Sequence, residues 1–237
     1  MKQSQFYYLL RRGLFNAGSA IIKNGLVMFN KFTTAGLNFP AQGSATFNGS
    51  SDYIQLDNPF SYTNHTIAAW VYAEDNAASK EIFQTYDAND DGIRFLSKTD
   101  EAIRYSVNNS DADSSSTFLN EWVFAVGTYD GTTQKLYING SLDVSKSTSQ
   151  TISTTTDARI GTRSYSTPTN FFNGNLANVA IWNRALSSDE INSVMWKSYE
   201  ALSGAESNGL QAWYSLDDIS GTSVPDSSGN GNNGTAY

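Results

Sequence analysis

The stretch Gly209–Tyr237, GLQAWYSLDDISGTSVPDSSGNGNNGTAY, decides the fold together with a shorter stretch near the start, ATFNGSSDYIQL at Ala45–Leu56. Each combines a short apolar run with a turn rich in Asn, Gly and Ser. Apolar runs of this length, bounded by turn residues, are typical of β-strands. The tail therefore predicts a strand at Leu210–Leu216, followed by a long loop rich in Asn and Gly.

Short alternating runs separated by turn residues recur from Gly43 onward, which indicates antiparallel β-structure. The run Ile67–Tyr72 is apolar on both faces, as expected of a central strand between layers. One predicted helix interrupts the strand pattern. Its start is indicated by a capping box of Ser187 and Glu190, and its end by Ser203-Gly204. Strands are predicted at Ala45–Asn48, Tyr53–Leu56, Thr66–Ala73, Glu81–Tyr86, Gly92–Ser97, Ala102–Asn108, Trp122–Asp130, Gln134–Asn139, Ala158–Gly161 and Gly174–Trp182.

The order of several motifs resembles that of LamG-like, concanavalin A-like jelly-roll domains. These motifs are WVYAED (Trp70–Asp75), NEWVFAVGTYDGTTQKLYINGSL (Asn120–Leu142), ARIGTR (Ala158–Arg163), FFNGNLANVAIWNRALSSDEI (Phe171–Ile191) and the tail. The resemblance implies an all-β, two-sheet antiparallel jelly-roll sandwich with one short helix and an N-terminal extension. In that family the tail motif normally precedes the turn found here at Phe47–Ser50. Its terminal position implies either a circularly permuted strand order or strand exchange that completes a neighbouring copy.

Charge divides the chain into two predicted regions. Residues 1–51 contain five bases and no acid, whereas residues 52–237 contain 10 bases and 23 acids. We assign residues 1–40 to a basic N-terminal docking arm and residues 41–237 to the jelly-roll domain, completed by residues 209–237. The acidic body disfavours nucleic-acid binding. No apolar run approaches the roughly 18 residues of a membrane span, and those of the arm are too short for a secretory signal.

The arm carries aromatic and arginine side chains of the kind that dominate protein interfaces. Two other interpretations stay open, namely that the arm packs on its own sandwich or that it is an organelle presequence. The predicted docking residues are Phe6, Tyr7, Tyr8, Arg11, Arg12 and Phe15.

The sequence predicts no catalytic residues. Cysteine is absent, which excludes disulfides and thiolate metal sites, and the single histidine, His65, excludes a multi-histidine zinc site. His65 is expected to be a loop residue that precedes a strand. Glycoside hydrolysis needs two carboxylates across a sugar cleft. The related glucanases place their acids at alternate positions along one strand. In this chain the acids cluster in predicted turns instead.

The tail loop Asp226–Gly234 offers the oxygen ligands that calcium prefers. We predict that Asp226, Asn230 and Asn233 hold a structural calcium ion, and the alternative is a turn held by Asx hydrogen bonds without an ion. The run Asp87–Gly92 resembles the start of an EF-hand loop, but Lys98 occupies the position of the bidentate Glu. That run is therefore interpreted as a polar hairpin.

Sugar binding requires exposed aromatic rings with polar partners. The predicted ligand-binding residues are Arg94, Arg104, Tyr105 and Tyr165, and the alternative for each is ordinary sheet pairing and core filling. We expect a non-catalytic adhesion or assembly module on a virion surface. The arm would attach it to other virion or surface proteins, the sandwich would bind glycans or proteins, and the chain would be a homo-oligomer or part of a larger assembly. The alternative is an exported carbohydrate-binding module or glycan-active enzyme of a bacterium, at the cell surface or outside the cell.

Overall fold

The computed structural model describes residues 43–75, 77–86, 92–152, 155–163, 167–217, 219 and 221–237. The six predicted docking residues of the arm and the predicted ligand residue Tyr165 lie outside the described residues, as does most of the Asp87–Gly92 run.

Two antiparallel sheets form the molecule. Their strands are β1 (Ala45–Asn48), β2 (Ile54–Leu56), β3 (His65–Ala73), β4 (Lys80–Tyr86), β5 (Ile93–Ser97), β6 (Ala102–Val107), β7 (Ser110–Thr117), β8 (Trp122–Tyr129), β9 (Thr133–Ile138), β10 (Ser141–Ser147), β11 (Asp157–Ile160), β12 (Asn173–Trp182), β13 (Leu210–Tyr214), β14 (Ser223–Val224) and β15 (Gly234–Ala236). The seven-stranded sheet has the order β1-β12-β3-β8-β9-β10, and β13 also pairs with β12. The eight-stranded sheet has the order β14-β15-β2-β11-β4-β5-β6-β7. The predicted all-β sandwich is therefore confirmed.

The main core lies between the sheets and is built from the inward positions of alternating strands. In β3, Ile67, Ala69 and Val71 are fully buried in this core, while the neighbours between them face outward. Gly127 of β8 is required there, because a Cβ at that position would lie 2.4 Å from the ring of Tyr105. The close approach of strand and ring shows how tightly the two layers interdigitate.

The tail contributes strands to both sheets of its own chain. β13 pairs with β12 through Val179–Trp182, and β15 pairs with β2 in the register Gly234↔Leu56. The backbone of Tyr237 extends the second pairing, since its N–H donates to the Tyr53 carbonyl at 2.9 Å. Within this single chain the tail pairs with its own β12 and β2, as a circularly permuted strand order requires, and strand exchange with a neighbouring copy stays a prediction.

The helical segment differs from the single predicted helix. A capping box of Ser187 and Glu190 does start α1 (Ser188–Val194), as predicted. The chain then forms a 3₁₀ turn (Tyr199–Ala201) and a second helix, α2 (Gly204–Ser207), with its own capping box of Ser203 and Glu206. Ser203-Gly204 thus begins a helix and does not end one. The Ser203 hydroxyl accepts a hydrogen bond from the Glu206 N–H, which is a capping contact that favours the start of a helix.

Four strands were not predicted from the sequence: β7, β10, β14 and β15. β7 reads SDADSSST, and of its residues Ala112 alone belongs to the main core. An edge strand that places so little apolar surface inside has no hydrophobic alternation to detect. The loop placement of His65 was wrong as well, because His65 is the first residue of β3 and is fully buried.

Candidate functional site

The two outer faces of the sandwich differ in chemistry. A second apolar cluster covers much of the outer face of the seven-stranded sheet, where Trp182 and Phe124 pack beneath Ile191, Val194 and the rest of the helical segment. The outer face of the eight-stranded sheet is polar. We call it the polar face and define it by the outward residues of β2, β4, β5, β6, β7, β11 and β15.

A continuous row of hydrophilic residues crosses the polar face. Strand registers place these residues opposite one another from strand to strand, so that their side chains share one side of the sheet. In order from β15 to β7, the row is Thr235, Gln55, Arg159, Gln84, Arg94, Ser106 and Asp111. A neighbouring row contains Glu81, Leu96, Arg104 and Asp113.

Charges on the polar face are held in ion pairs. Arg104 donates from Nε to Asp113 Oδ1 at 2.6 Å and from Nη2 to Asp113 Oδ2 at 2.8 Å, and it also lies 2.5 Å from Asp111. Lys98 reaches the same Asp113 at 2.8 Å. The hydrogen bonds from Arg104 above all, and those from Lys98, lower the pKa of Asp113 to about 2. Asp113 therefore stays ionised at physiological pH.

Arg94 pairs with Glu81, a carboxylate that is fully buried. Burying a carboxylate is unfavourable unless a cation and hydrogen bonds compensate, and the guanidinium of Arg94 provides both. Arg94 thus has a structural role on this face, whatever else it contacts.

An aromatic pair stands at the β15 end of the polar face. The rings of Tyr53 and Tyr237 are stacked, with centroids 4.9 Å apart and planes 8° from parallel. Tyr237 is 64% exposed, so its ring is open to solvent. The guanidinium of Arg159 lies 5.1 Å from the centroid of the Tyr53 ring. The centroid of the Phe171 ring lies 6.4 Å from the same centroid.

Polar side chains adjoin the aromatic pair on the same side of the sheet. Arg159 donates from Nε to Gln55 Oε1 at 2.8 Å, and its Nη2 lies 3.0 Å from Asp157. Gln55 donates in turn to Asp157 Oδ1 at 2.5 Å. Stacked rings, a guanidinium, an amide and a carboxylate are thus brought together by β2, β11 and β15. We call these residues (Tyr53, Gln55, Asp157, Arg159 and Tyr237) the terminal cluster.

The predicted ligand residues fall in different places. Arg94 and Arg104 both lie on the polar face, in adjacent rows. Tyr105 is a correction, because it is 0% exposed and its side chain lies between the sheets, as strand alternation requires of a neighbour of Arg104. The terminal cluster was missed, since it depends on the pairing of β15 with β2. The period-two spacing of Tyr53 and Gln55 was the available signal.

Tyr105 belongs instead to a buried polar group around His65. His65 Nδ1 lies 3.0 Å from the Tyr62 carbonyl, which makes Nδ1 the donor and leaves Nε2 to accept from the Tyr105 hydroxyl at 2.5 Å. Burial lowers the pKa of His65 to about 4, and burial raises that of Tyr105. His65 is therefore neutral at physiological pH and supports the core.

The tail loop is organised by hydrogen bonds to Asp226. Its Oδ1 accepts from the N–H groups of Trp213 and Ser228, both at 2.9 Å, while its Oδ2 accepts from the Ser228 hydroxyl at 2.8 Å and the Asn232 N–H at 3.1 Å. Asn233 Oδ1 accepts from the Asp226 N–H at 3.0 Å. This arrangement corresponds to a turn held by side-chain hydrogen bonds.

Three of the four side-chain oxygens of the predicted calcium ligands already accept hydrogen bonds. Both oxygens of Asp226 and the Oδ1 atom of Asn233 already accept hydrogen bonds, and Asn230 directs its Nδ2 group to the Leu210 carbonyl at 3.0 Å. The described residues include no group of three or more His, Cys, Asp or Glu side chains that could hold a metal ion. The calcium site stays a prediction, which a titration described below tests.

The tail loop contacts β13 and the segment that follows β2. Asn232 donates from Nδ2 to the Gln211 carbonyl of β13 at 2.7 Å, and its Oδ1 accepts from Asn58 Nδ2 at 3.1 Å. The Asp57 N–H also donates to the Asn233 carbonyl at 3.0 Å, next to the pairing of β15 with β2.

Two stacked antiparallel sheets with short helices on one face define the class of concanavalin A-like sandwich proteins. A model of the Laminin_G_3 family, described as the concanavalin A-like lectin/glucanases superfamily, matches residues 48–192, which is more than half of the chain. The chain therefore belongs to this family. No curated protein matches the chain.

Solved structures share the fold at low sequence identity. A candidate carbohydrate-binding protein from Bacteroides ovatus superposes with a TM-score of 0.66 at 17% identity, covering 81% of this chain and 57% of that one. The chain thus spans little more than half the length of that protein. The CBM40 module of the Ruminococcus gnavus IT-sialidase, bound to α2,3-sialyllactose, gives 0.52 at 14% identity and covers 64% and 97%. The heptameric SAP-like pentraxin of Limulus polyphemus gives 0.52 at 16% identity and covers 68% and 84%.

Within the described part of the chain, none of the helices has the length and apolar character needed to cross a membrane.

Proposed function

We propose that this sandwich is a non-catalytic glycan-binding module that binds sugar at the terminal cluster on its polar face. The observation that carries the proposal is the exposed Tyr237 ring, stacked on Tyr53 beside Arg159 and Gln55. Sugar rings present apolar C–H faces together with hydroxyl groups that need paired donors and acceptors. An open aromatic ring beside guanidinium, amide and carboxylate groups meets both requirements.

The carboxylates of the polar face favour binding over hydrolysis. A glycosidase needs a general acid whose pKa is raised, placed across the scissile bond from a second carboxylate. Asp113 has a pKa of about 2, and Asp157 and Glu81 are both ion-paired with arginines. Carboxylates held in this way are suited to accepting hydrogen bonds from hydroxyl groups, not to donating a proton.

The structural relatives support the same proposal. Among proteins of this fold, the Ruminococcus gnavus module carries a bound sialyllactose, and the Bacteroides ovatus protein is a candidate for carbohydrate binding. Fold likeness alone does not transfer a ligand, so the chemistry of the terminal cluster must carry the argument.

Affinity electrophoresis and isothermal titration of the full chain against a panel of glycans would test the proposal. We expect Tyr237→Ala and Arg159→Ala each to weaken binding about tenfold, because each loses about 1.4 kcal/mol of stacking or charged hydrogen bonding. Leu142→Ala is the matched control, since Leu142 is exposed on β10 of the other sheet. Glycan binding that is unchanged in both cluster variants would rule out this site.

We propose further that the module works in adhesion or assembly on a virion or another surface, with residues 1–40 attaching it to partner proteins. The segregation of charge supports this, because five bases without a single acid precede an acidic body. Removing residues 1–40 should abolish incorporation into the assembly, or oligomerisation, while glycan binding persists. Unchanged assembly of the truncated chain would contradict the docking role of Phe6, Tyr7, Tyr8, Arg11, Arg12 and Phe15.

A further inference from the structure

A second aromatic surface lies on the outer face of the seven-stranded sheet, beyond the part that the helices cover. Tyr72 of β3 and Trp122 of β8 face each other in register, with ring centroids 5.7 Å apart. Asn175 of β12 lies opposite Tyr72 on its other side, and Thr46 of β1 lies opposite Asn175. We call Thr46, Tyr72, Trp122 and Asn175 the four-strand patch. Thr46 is exposed and the other three are partly exposed.

The patch is held rigid by its surroundings. Gly174 allows β12 to approach β3 closely at this point, because a Cβ there would lie 2.0 Å from the Tyr72 carbonyl. Trp70, two residues before Tyr72 and on the same side of the strand, contacts Trp196 with ring centroids 5.5 Å apart and donates to the Met195 carbonyl at 3.2 Å. The helical segment thus forms a wall along one side of the patch.

Three polar atoms of the patch have no hydrogen-bond partner among the described residues. Thr46 donates to Asn175 Oδ1 at 2.7 Å, which orients the Asn175 amide and leaves its Nδ2 group free. The Tyr72 hydroxyl and the Trp122 indole N–H likewise make no hydrogen bond among the described residues, and none of the three atoms is buried. The patch therefore offers two ring surfaces together with three unpaired hydrogen-bonding groups.

We infer that the four-strand patch is a second saccharide-binding site, specific for neutral pyranose chains. Ring surfaces flanked by an amide, a phenol and an indole N–H complement a sugar that presents C–H and hydroxyl groups alternately. The charged neighbours favour a neutral ligand, because Glu74 is exposed just after β3 and Glu121 is exposed just before β8. A carboxylate sugar would be repelled by these acids.

A second copy of the chain fits the patch less well. A stable protein interface buries about 800 Å² on each partner, around a well-packed apolar centre. Here the apolar part beyond the helices amounts to two partly exposed rings, and Trp70 is already enclosed by Phe124 and Trp196. A narrow strip of rings with free donors suits a chain of sugar units.

This inference is independent of the proposed function, because the two sites lie on opposite faces of the sandwich. Together they would let one domain contact two polysaccharide chains, or two segments of one chain. The test must therefore separate the two faces.

The experiment titrates the full chain with four neutral pyranose polysaccharides (mixed-linkage β-glucan, galactomannan, glucomannan and xylan) and with polygalacturonate, which the acids beside the patch should keep from binding there. The readouts are retardation in affinity gels and tryptophan fluorescence, to which Trp122 contributes directly. We expect at least one neutral polysaccharide to bind and to change the fluorescence. The double variant Y72A/W122A should weaken that binding at least tenfold, and Trp122→Phe should abolish the fluorescence change while retaining part of the affinity.

Variants of the terminal cluster are the control. The double variant Y53A/Y237A should keep the fluorescence response to the neutral polysaccharide, so that failure of the proposed function and failure of this inference are distinguishable. Asn175→Ala, which leaves both rings in place, should lower affinity severalfold and guards against misfolding of the double variant. The inference is overturned if none of the four polysaccharides binds, if Y72A/W122A and Asn175→Ala bind as the unmodified chain does, or if Y72A/W122A converts a dimer into a monomer in sedimentation.

Discussion

The two outer faces of this sandwich solve one problem in opposite ways. Each sheet buries its inner face in the common core. The side chains of its outer face must then either be covered by other elements or be polar enough to contact water. The seven-stranded sheet covers large apolar groups such as Trp182 with a layer of short helices. The eight-stranded sheet carries polar residues and neutralises their charges in ion pairs such as that of Arg104 with Asp113.

The difference teaches where stability and where binding are located. Apolar burial beneath the helices is expected to contribute several kcal/mol for each large side chain, whereas exposed ion pairs contribute about 0–1 kcal/mol each. Solvent-accessible pairs of the polar face, such as Arg104 with Asp113, can therefore contact ligands at little cost to the fold, whereas the pair of Arg94 with the buried Glu81 is structural. On the outer face of the seven-stranded sheet, residues that can contact ligands at little cost to stability lie only beyond the helices, at the four-strand patch.

The largest effect is expected beneath the helices. Trp182 is fully buried, and its indole N–H donates to the Glu206 carbonyl at 2.8 Å, which ties β12 to α2. Trp182→Ala should lower the free energy of unfolding by about 4 kcal/mol, since it leaves a cavity and an unpaired carbonyl. Urea denaturation would measure the loss. A loss below about 1 kcal/mol, as expected for the exposed control Leu142→Ala, would show that the helix layer contributes little.

The next effect concerns the interior that both sheets share. The pKa of His65 is lowered to about 4 from an unfolded value near 6.5, so the unfolded state binds its proton first as the pH falls. The folded protein should lose about 3 kcal/mol of stability between pH 6.5 and pH 4. The chain has a single histidine, so the difference between the unmodified chain and a variant without that histidine isolates this contribution.

His65→Gln is the matched control for this pH dependence. Glutamine can donate to the Tyr62 carbonyl and accept from the Tyr105 hydroxyl, but it does not titrate. Stability profiles of the two proteins from pH 7 to pH 4.5 should diverge, with the variant nearly flat. Parallel profiles would mean that His65 is more accessible than its contacts indicate.

An intermediate effect is expected in the tail loop that joins the two sheets. Asp226→Ala removes the acceptor of four hydrogen bonds at a residue that is only 9% exposed, and should cost about 2–3 kcal/mol. Asp226→Asn, which keeps one acceptor oxygen, should cost less. Thermal unfolding would rank the variants, and equal stability of all three proteins would refute the anchoring role of the carboxylate.

The same variants test the predicted calcium ion. If Asp226, Asn230 and Asn233 bind calcium, adding calcium after EDTA treatment should raise the melting temperature of the unmodified chain and leave that of Asp226→Ala unchanged. A melting temperature that calcium does not move would eliminate the ion. The hydrogen bonds of the loop would then account for its structure.

The smallest effect on stability is expected on the polar face. Arg104→Met keeps most of the aliphatic stem but removes the ion pairs with Asp111 and Asp113, and should cost about 1 kcal/mol or less, with a smaller cost at high salt. The pKa of Asp113 should rise toward its usual range, which NMR titration would follow. If Arg104→Met lowered the free energy of unfolding as much as Trp182→Ala does, the two outer faces would not differ in their contribution to stability.

Most strands could be predicted from the sequence because the patterns that indicate them involve residues close together in the chain. The apolar run Ile67–Tyr72 and the capping box at Ser187 and Glu190 each depend on residues close together in the chain, and both elements form where predicted. β7 was missed because its Ser-Asp repeat has almost no apolar side. The family resemblance supplied the two-sheet architecture, which periodicity alone leaves open.

The candidate site was less predictable, since its residues come from distant parts of the chain. Arg94 and Arg104 could be proposed as surface residues of neighbouring strands, but Tyr105 was wrongly included because the face of each strand was not fixed. The terminal cluster joins Tyr53 to Tyr237, and the four-strand patch joins Tyr72 to Trp122 and Asn175. No local pattern reports such pairings.

The sequence by itself determined that the chain forms an all-β sandwich, where most strands begin and end, and that its charge is divided between a basic start and an acidic remainder. Only the tertiary structure decided that the tail pairs within its own chain, that His65 and Tyr105 are interior, and which aromatic rings meet on the two outer faces. The physical reason is that strand propensity and side-chain alternation are properties of neighbouring residues. Register and sheet order instead depend on which distant strands together bury the most apolar surface and satisfy the most backbone hydrogen bonds.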